Sequence, residues 1–274
     1  MSKLPVSVHI LTWNSAQTLE RAMASVEGCA EILVIDGGSQ DDTIMIAERC
    51  GARVIPQRFP GAQGKPLMDF SAARNTGLEH ATQPWILTLD SDEVMSPDAM
   101  KEISTIVTKP QSQPEPEPEP VPEPGAYFVP RRYVTPDGTV ITLASTYPNE
   151  RIYFFRKDAA ERWEKPVHER IALKPGTTVR RLKDGSLAPL APLSVFRSKL
   201  SQYLRIECEQ SRGKGWLAWF RRVVHTLRGR IVSLIRLLWI WLLPHRGNRL
   251  PLRYEMARFW YGWKLVVMTC PLMQ

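Results

Sequence analysis

The chain has 274 residues, 43% of them hydrophobic and 23% charged, with a net charge of +8. That length fits one domain of about 190 residues plus a smaller appendage and allows a sizeable buried core. Four cysteines at 29, 50, 208 and 270 have no metal-site or redox spacing and are too scattered for a disulfide framework, so a reducing compartment is expected.

The first 30 residues lack a secretory apolar core with a small-residue cleavage site, so the N-terminal half is expected in the cytoplasm. Val6 to Trp13 reads as a strand, Ser15 to Val26 as a helix with Leu19, Ala22, Met23 and Val26 on one face, and Ile32 to Ile35 as a second, wholly apolar strand. Ser39 and Gln40 offer a helix start, with Asp41 and Asp42 in its first turn, where carboxylates suit the positive end of the dipole. That helix continues through 44–50 and Gly51 ends it. A short strand at Arg53 to Ile55, a helix from about Asp69 to His80 and a strand at Trp85 to Leu89 complete an alternating α/β series.

Polar groups stand at the strand exits of this series, where ligands of open parallel sheets gather: Thr12 and Asn14 after the first, Asp36 after the second, Asp90 and Asp92 after the fourth. Side chains two apart on a strand share a face, so Asp90 and Asp92 are placed to converge on one hard cation able to carry a diphosphate. A bare Asp-x-Asp is short and is more often a surface turn, so its neighbours decide the reading.

Between Lys109 and Gly125 prolines alternate with glutamates. Proline lacks the amide proton and the carboxylates repel, so an extended, solvated Pro/Glu-rich disordered insertion is expected over 110–124, inside one domain that resumes with strands at Tyr127 to Val134 and Ile152 to Phe155.

Four stretches in this order and spacing, His-Ile-Leu-Thr-Trp-Asn-Ser (9–15), Glu-Ile-Leu-Val-Ile-Asp-Gly-Gly-Ser-Gln-Asp-Asp-Thr (31–43), Ala-Arg-Asn-Thr-Gly (73–77) and Leu-Asp-Ser-Asp-Glu (89–93), resemble the nucleotide-sugar half of the family 2 glycosyltransferases. Tyr-Pro-Asn-Glu-Arg-Ile-Tyr-Phe-Phe-Arg-Lys (147–157) followed by Val-His-Glu (167–169) resembles the subgroup that includes bacterial lipopolysaccharide-core glucosyltransferases, and the likeness covers roughly residues 4 to 175. The resemblance implies a GT-A, Rossmann-like α/β domain with a mostly parallel central sheet. It also implies a nucleotide-diphosphate sugar as donor, and Mn²⁺ or Mg²⁺ acting on the departing diphosphate as a Lewis acid. On this likeness Asp92 is the direct metal ligand and Asp90 shares the metal and nucleotide duties. Thr12, Asn14 and Asp36 face the nucleotide base or ribose, and Arg74 sits near the nucleotide or its phosphates; the competing role for Arg74 is an idle helix surface arginine.

Inversion at the anomeric carbon needs a base for the acceptor hydroxyl, and Glu169 is the candidate, beside His168 as a third metal ligand or a contact to the diphosphate. The family often carries an acidic pair where this chain has Val-His-Glu, so Glu93 and Glu150 stand as substitute bases. Trp163 is either a stacking platform for the acceptor sugar or, more simply, a core residue.

The charge is split: residues 1–196 hold 21 Lys and Arg against 25 Asp and Glu, net −4, whereas residues 197–274 hold 15 against 3, net +12. The expected division is therefore a catalytic domain over 1–196 and a basic, aromatic helical region over 197–274. From Trp216 to Leu243 the period is helical, with Phe220, Val223, Val224, Leu227, Ile231, Leu234, Ile235, Leu238, Trp241 and Leu242 in one arc and Arg221, Arg222, Arg228 and Arg236 opposite. The nearly unbroken apolar run of Ile231 to Leu243 is well short of the ~20 residues that span a bilayer, so the helix is expected to lie on an anionic membrane with Trp216, Trp219, Trp239 and Trp241 near the headgroups. Leu252 to Val267, again aromatic and basic, adds to this pattern. Nucleic acid is disfavoured as a partner because the apolar arc would be left in water; packing of the arc on the catalytic domain or in an oligomer is the plainer alternative.

These expectations add up to a metal-dependent, inverting glycosyltransferase on the cytoplasmic face of the inner membrane, serving a lipid-linked or lipopolysaccharide-core acceptor. The alternatives are a catalytically silent sugar-binding scaffold and a sugar nucleotidyltransferase, though the glycine-rich loop expected of the latter is missing from Leu11 to Ala16.

Overall fold

The computed structural model describes residues 3–57, 69–108, 123–165 and 169–273. His168 and nearly all of the Pro/Glu stretch at 110–124 lie outside the described residues.

In chain order the elements are β1 (Leu4–Thr12), α1 (Leu19–Ala24), β2 (Cys29–Asp36), α2 (Thr43–Arg49), β3 (Arg53–Pro56), α3 (Phe70–His80), β4 (Trp85–Asp90), β5 (Val94–Met95), α4 (Pro97–Thr108), β6 (Ala126–Val134) and β7 (Glu150–Arg156). There follow β8 (Ala160–Glu164), β9 (Arg170–Leu173), β10 (Val179–Arg181), β11 (Ser186–Pro189), α5 (Leu193–Ser211), α6 (Trp216–Leu242) and α7 (Leu252–Met268).

The chain divides into two compact units, one of Met1–Arg132 with Pro148–Ala188, the other of Tyr133–Tyr147 with Pro189–Gln274. The charge boundary at 196/197 misses the segment 133–147, which carries no charge signal and joins the second unit through its backbone and buried side chains.

The first unit is built on a mixed sheet of order β3-β2-β1-β4-β7-β6-β11-β5, with β10 beside β6. The four strands β3, β2, β1 and β4 run parallel, as their right-handed helical crossovers require, whereas β7 enters antiparallel to β4 and β6 antiparallel to β7. Strands β1, β2 and β4 are apolar because both faces of the sheet are covered: Val6, Val8, Ile10, Leu33, Val34, Ile35, Ile86 and Leu87 are inaccessible to solvent. The exits of β1, β2 and β4 fall on one edge, since Thr12 is in register with Asp36 and Leu11 with Asp90.

Local chemistry sets the element ends. Asp69 caps α3, accepting the Ala72 amide at 3.0 Å and the Ser71 hydroxyl at 2.7 Å. Gly51, at φ +79°, closes α2 in a left-handed turn that a Cβ would strain. The anticipated start of α2 at Ser39 is not used as a cap: the Ser39 hydroxyl donates to Asp36, and the helix begins four residues later at Thr43. Strand β5, helix α4, the small β8–β9 hairpin, β10 and β11 were not anticipated from the sequence, whereas most of α5 falls within the helical region expected over 197–274. Helix α3 lies close on the sheet at Gly77, where a Cβ would sit 2.9 Å from His9 Nδ1 and 3.1 Å from Ile35 Cδ1.

The second unit has its own core of Ile141, Ala144, Leu190, Leu250 and Tyr254, flanked by Tyr133, Tyr147, Leu193 and Phe196. Segment 133–147 is tied to α7 by Glu255, which is 1% exposed and accepts the Ser145 amide at 2.8 Å and its hydroxyl at 2.6 Å. Arg258 adds a bond to Tyr133 at 3.2 Å and one to Thr146. Helix α6 turns Ser233, Leu237 and Ile240 inward, while Phe220, Val224, Leu227, Ile231, Leu234, Ile235, Leu238, Trp241 and Leu242 are exposed. The anticipated apolar arc is thus largely solvent-facing. Among the described residues no helix is long and apolar enough to cross a membrane.

Candidate active site

At the edge formed by the exits of β1 and β2, Thr12 donates to Asp36 Oδ1 at 2.8 Å, and Ser39 donates to the same oxygen at 2.5 Å. The amides of Gly38 and Ser39 both donate to Asp36 Oδ2 at 2.8 Å. A carboxylate has about four acceptor positions, so Asp36 is saturated by its own loop and shapes the turn there; a nucleotide hydroxyl reaches it only by displacing one of these donors. Asn14, at φ +50°, clamps the two exit loops: its amide donates to Ser39 Oγ and its Oδ1 accepts the Gln40 amide, both at 2.8 Å. Ser15 Oγ lies 3.0 Å from Ser91 Oγ, which links the first exit loop to the residue between the two aspartates.

Arg74 is not an idle surface residue. Its side chain is 2% exposed; Nη2 donates to Asp90 Oδ1 at 2.8 Å and to the Tyr153 hydroxyl at 3.2 Å, and Nε donates to Glu169 Oε1 at 3.0 Å. Its guanidinium also lies over the rings of Tyr153 and Trp163, at 5.0 and 5.3 Å. The physical reason is desolvation: a buried guanidinium persists only with paired carboxylates, and two are supplied from residues 16 and 95 positions away. Burial alone would push the Asp90 carboxyl up, but Arg74, Arg151 and Arg131 outweigh it and hold Asp90 below the usual carboxylate range.

Glu169 therefore joins the aspartate motif through a single arginine. Its Oε1 also accepts from Tyr153 at 3.2 Å and lies 3.6 Å from Arg151 Nη1, while its Oε2 has no hydrogen bond among the described residues. Asp92 makes no hydrogen bond or ion pair among the described residues, and Asp90 Oδ2 is likewise unengaged there. Asp90 ends β4 and Asp92 lies in the turn that follows; two carboxylates with free oxygens could share a hard divalent cation whose other ligands would be phosphate and water. The protein alone makes no complete cage: among the described residues no three His, Cys, Asp or Glu side chains cluster to hold a metal. His168, the expected third ligand, lies outside the described residues.

The substitute bases are committed elsewhere. Glu150 is bonded to Arg181 at 2.6 Å, away from this cluster. Glu93 is 1% exposed and paired with Arg131; burial, together with the Asp90 charge, pushes its carboxyl up despite that arginine. Trp163 is 2% exposed and packs edge-on against Tyr153 and Phe155, which makes it a core residue and not a sugar platform.

Sequence reasoning gave no role to Arg151 and Tyr153, although both stood in the quoted 147–157 motif; their two-residue spacing on a strand was the available signal that they share a face. A cavity of about 610 Å³ opens at the opposite end of the strands, lined by Pro5, Pro84, Trp85, Ile106 and Val107 with Glu123, Arg156, Lys157 and Asp158, and has no part in the carboxylate cluster.

Residues 7–112 match the family described as Glycosyl transferase family 2. A lipopolysaccharide core biosynthesis glycosyltransferase, LpsC of Rhizobium meliloti, is 32% identical over 101 residues, 37% of this chain and 36% of that protein. An uncharacterized glycosyltransferase of Rickettsia bellii is 35% identical over 102 residues, 37% of this chain and 32% of that one. The chain spans between a quarter and a third of the length of the first curated relatives it matches. Among solved structures, S. aureus TarS 1–349 in complex with UDP-GlcNAc overlays with a TM-score of 0.44 at 15% identity, covering 73% of this chain and 66% of that one.

Proposed function

From the match of residues 7–112 to glycosyl transferase family 2, we propose that this protein transfers a sugar, with inversion, from a nucleotide-diphosphate donor to a lipid-linked or lipopolysaccharide-core saccharide at a membrane surface. The observation that carries the reading is the bridge of Arg74 between Asp90 and Glu169, because it brings the residue for the leaving group and the residue for the attacking group within reach of one guanidinium.

The nucleotide lies over the exits of β1 and β2, where Thr12, Asn14 and Asp36 order the loop that receives it. Asp92 and the free oxygen of Asp90 would hold a divalent ion, Mn²⁺ or Mg²⁺, which would supply Lewis-acid neutralisation of the departing diphosphate. Glu169 takes the acceptor hydroxyl proton on Oε2 as that oxygen attacks the anomeric carbon from the face opposite the diphosphate. The new carbon–oxygen bond forms as the bond to the diphosphate breaks, and the nucleoside diphosphate leaves with the electron pair. Arg74 fixes the orientation of Glu169, and it holds Asp90 so that only one of its oxygens is spent on the protein.

The exposed apolar face of α6 and the net charge of +12 over residues 197–274 support a peripheral position on anionic lipid, at the cytoplasmic face of the inner membrane. No feature favours nucleic acid over lipid. The deciding experiment is a screen of nucleotide sugars for hydrolysis and transfer with Mn²⁺, Mg²⁺ or chelator, run beside Asp92→Asn. Metal-dependent turnover of one donor that Asp92→Asn abolishes is expected; undiminished turnover by that variant, or in chelator, refutes the mechanism.

A further inference from the structure

Two arginines flank Glu169: Arg74 is hydrogen-bonded to it, and Arg151 is ion-paired at longer range. Arg74 is buried and bonded at 3.0 Å, whereas Arg151 is 43% exposed and stands 3.6 Å from the same oxygen. Arg151 is nevertheless held in place: its Nη1 donates to the Tyr153 hydroxyl at 2.6 Å, and its guanidinium lies 5.6 Å from the Tyr153 ring centroid. Val129 is its cross-strand partner on β6, and Arg131, two residues on, is engaged by Glu93. Arg151 is thus the outermost cation of the crevice, and its Nε and Nη2 have no partner among the described residues.

The local charge points the same way. Four carboxylates (Asp90, Asp92, Glu93, Glu169) face three guanidiniums (Arg74, Arg131, Arg151), so a divalent ion on the aspartates turns the sum positive. The excess falls on Arg151, the most exposed of the three: its side chain is 43% exposed, against 27% for Arg131 and 2% for Arg74. A pre-positioned guanidinium with two adjacent N–H donors free matches the two oxygens of a phosphate or carboxylate.

We infer that Arg151, oriented by Tyr153, is an anion-binding residue that receives a phosphate or carboxylate group of a substrate. The assignment rests on the glycosyl-transfer reading above. The shared chemistry has two sources, the diphosphate of the donor and an acidic substituent on the acceptor saccharide.

The test uses the full chain and isothermal titration with Mn²⁺. UDP, GDP, CDP and ADP are titrated against their nucleosides, and glucose 6-phosphate against glucose in the presence of the tightest-binding nucleoside diphosphate. Arg151→Met and Arg151→Lys are compared with wild type, and thermal melts confirm that both fold. If Arg151 holds the donor, Arg151→Met weakens the nucleoside diphosphate by about 10-fold or more, the scale of a lost charged hydrogen bond, and leaves the nucleoside unchanged. If it holds the acceptor, nucleoside diphosphate affinity is kept while glucose 6-phosphate, and not glucose, loses about 10-fold or more. Arg151→Lys, with the charge but not the fork, is expected between the two. Undiminished diphosphate affinity in both variants, with no Arg151-dependent binding of glucose 6-phosphate, overturns the inference alone. Failure of the wild type to bind any nucleoside diphosphate overturns the glycosyl-transfer reading and this inference with it.

Discussion

Acidification should loosen the sheet through one buried imidazole. His9 sits in the middle of β1 with no solvent exposure, and neither ring nitrogen has a hydrogen-bond partner among the described residues. Burial, with smaller contributions from Arg74 and Lys157, pushes its pKa from the ordinary 6.5 down to about 3. The sign follows directly: between those two values the unfolded chain binds a proton that the native chain refuses, so stability is full above 6.5 and declines as pH falls. At about 1.4 kcal/mol per pH unit, the loss between pH 7 and pH 5 comes to about 2 kcal/mol. The assay is urea unfolding followed by tryptophan fluorescence at pH 7, 6 and 5, for wild type and for His9→Leu, which removes the titration and keeps an apolar slot filled. Carboxylates titrate alike in both proteins, so the difference between the two profiles isolates His9. The wild type should lose about 2 kcal/mol more than the variant over that range; parallel profiles would refute the burial argument.

Further outcomes follow from the same geometry. Glu169→Gln should keep donor affinity and lose transfer by roughly 10²-fold or more, as for a general base; normal turnover with weakened donor binding would make Glu169 a binding residue instead. Gly77→Ala should cost about 1–3 kcal/mol in urea unfolding because its methyl meets His9 and Ile35, and it should lower turnover as α3, which carries Arg74, is displaced; full stability would mean that α3 rides higher on the sheet than described. The full chain should float with liposomes containing anionic lipid, less with neutral ones and less at high salt. Ile231→Glu with Ile235→Glu, at positions 58% and 60% exposed, should release it without loss of melting temperature; flotation unchanged by the pair would remove the interfacial reading.

Legible in the sequence was the local order: an alternating strand and helix series, a helix from about Asp69, and polar residues at strand exits. These features depend on periods of two and 3.6 residues and on neighbours a few positions apart. The amphipathic arc of α6 was legible for the same reason, but its exposure was not, because only the packing of Ser233, Leu237 and Ile240 shows which side the unit covers. The candidate site was legible as a set of members and not as a set of contacts. Arg74 read from sequence as a nucleotide contact or a surface residue, and Glu169 as the candidate base beside His168. The antiparallel entry of β7 beside β4 brings Tyr153 and Arg151 next to Asp90, and Glu169 then closes on Arg74 from 95 residues away. No local pattern encodes that meeting; it is imposed by strand register and by the need of a buried guanidinium for buried counter-charge.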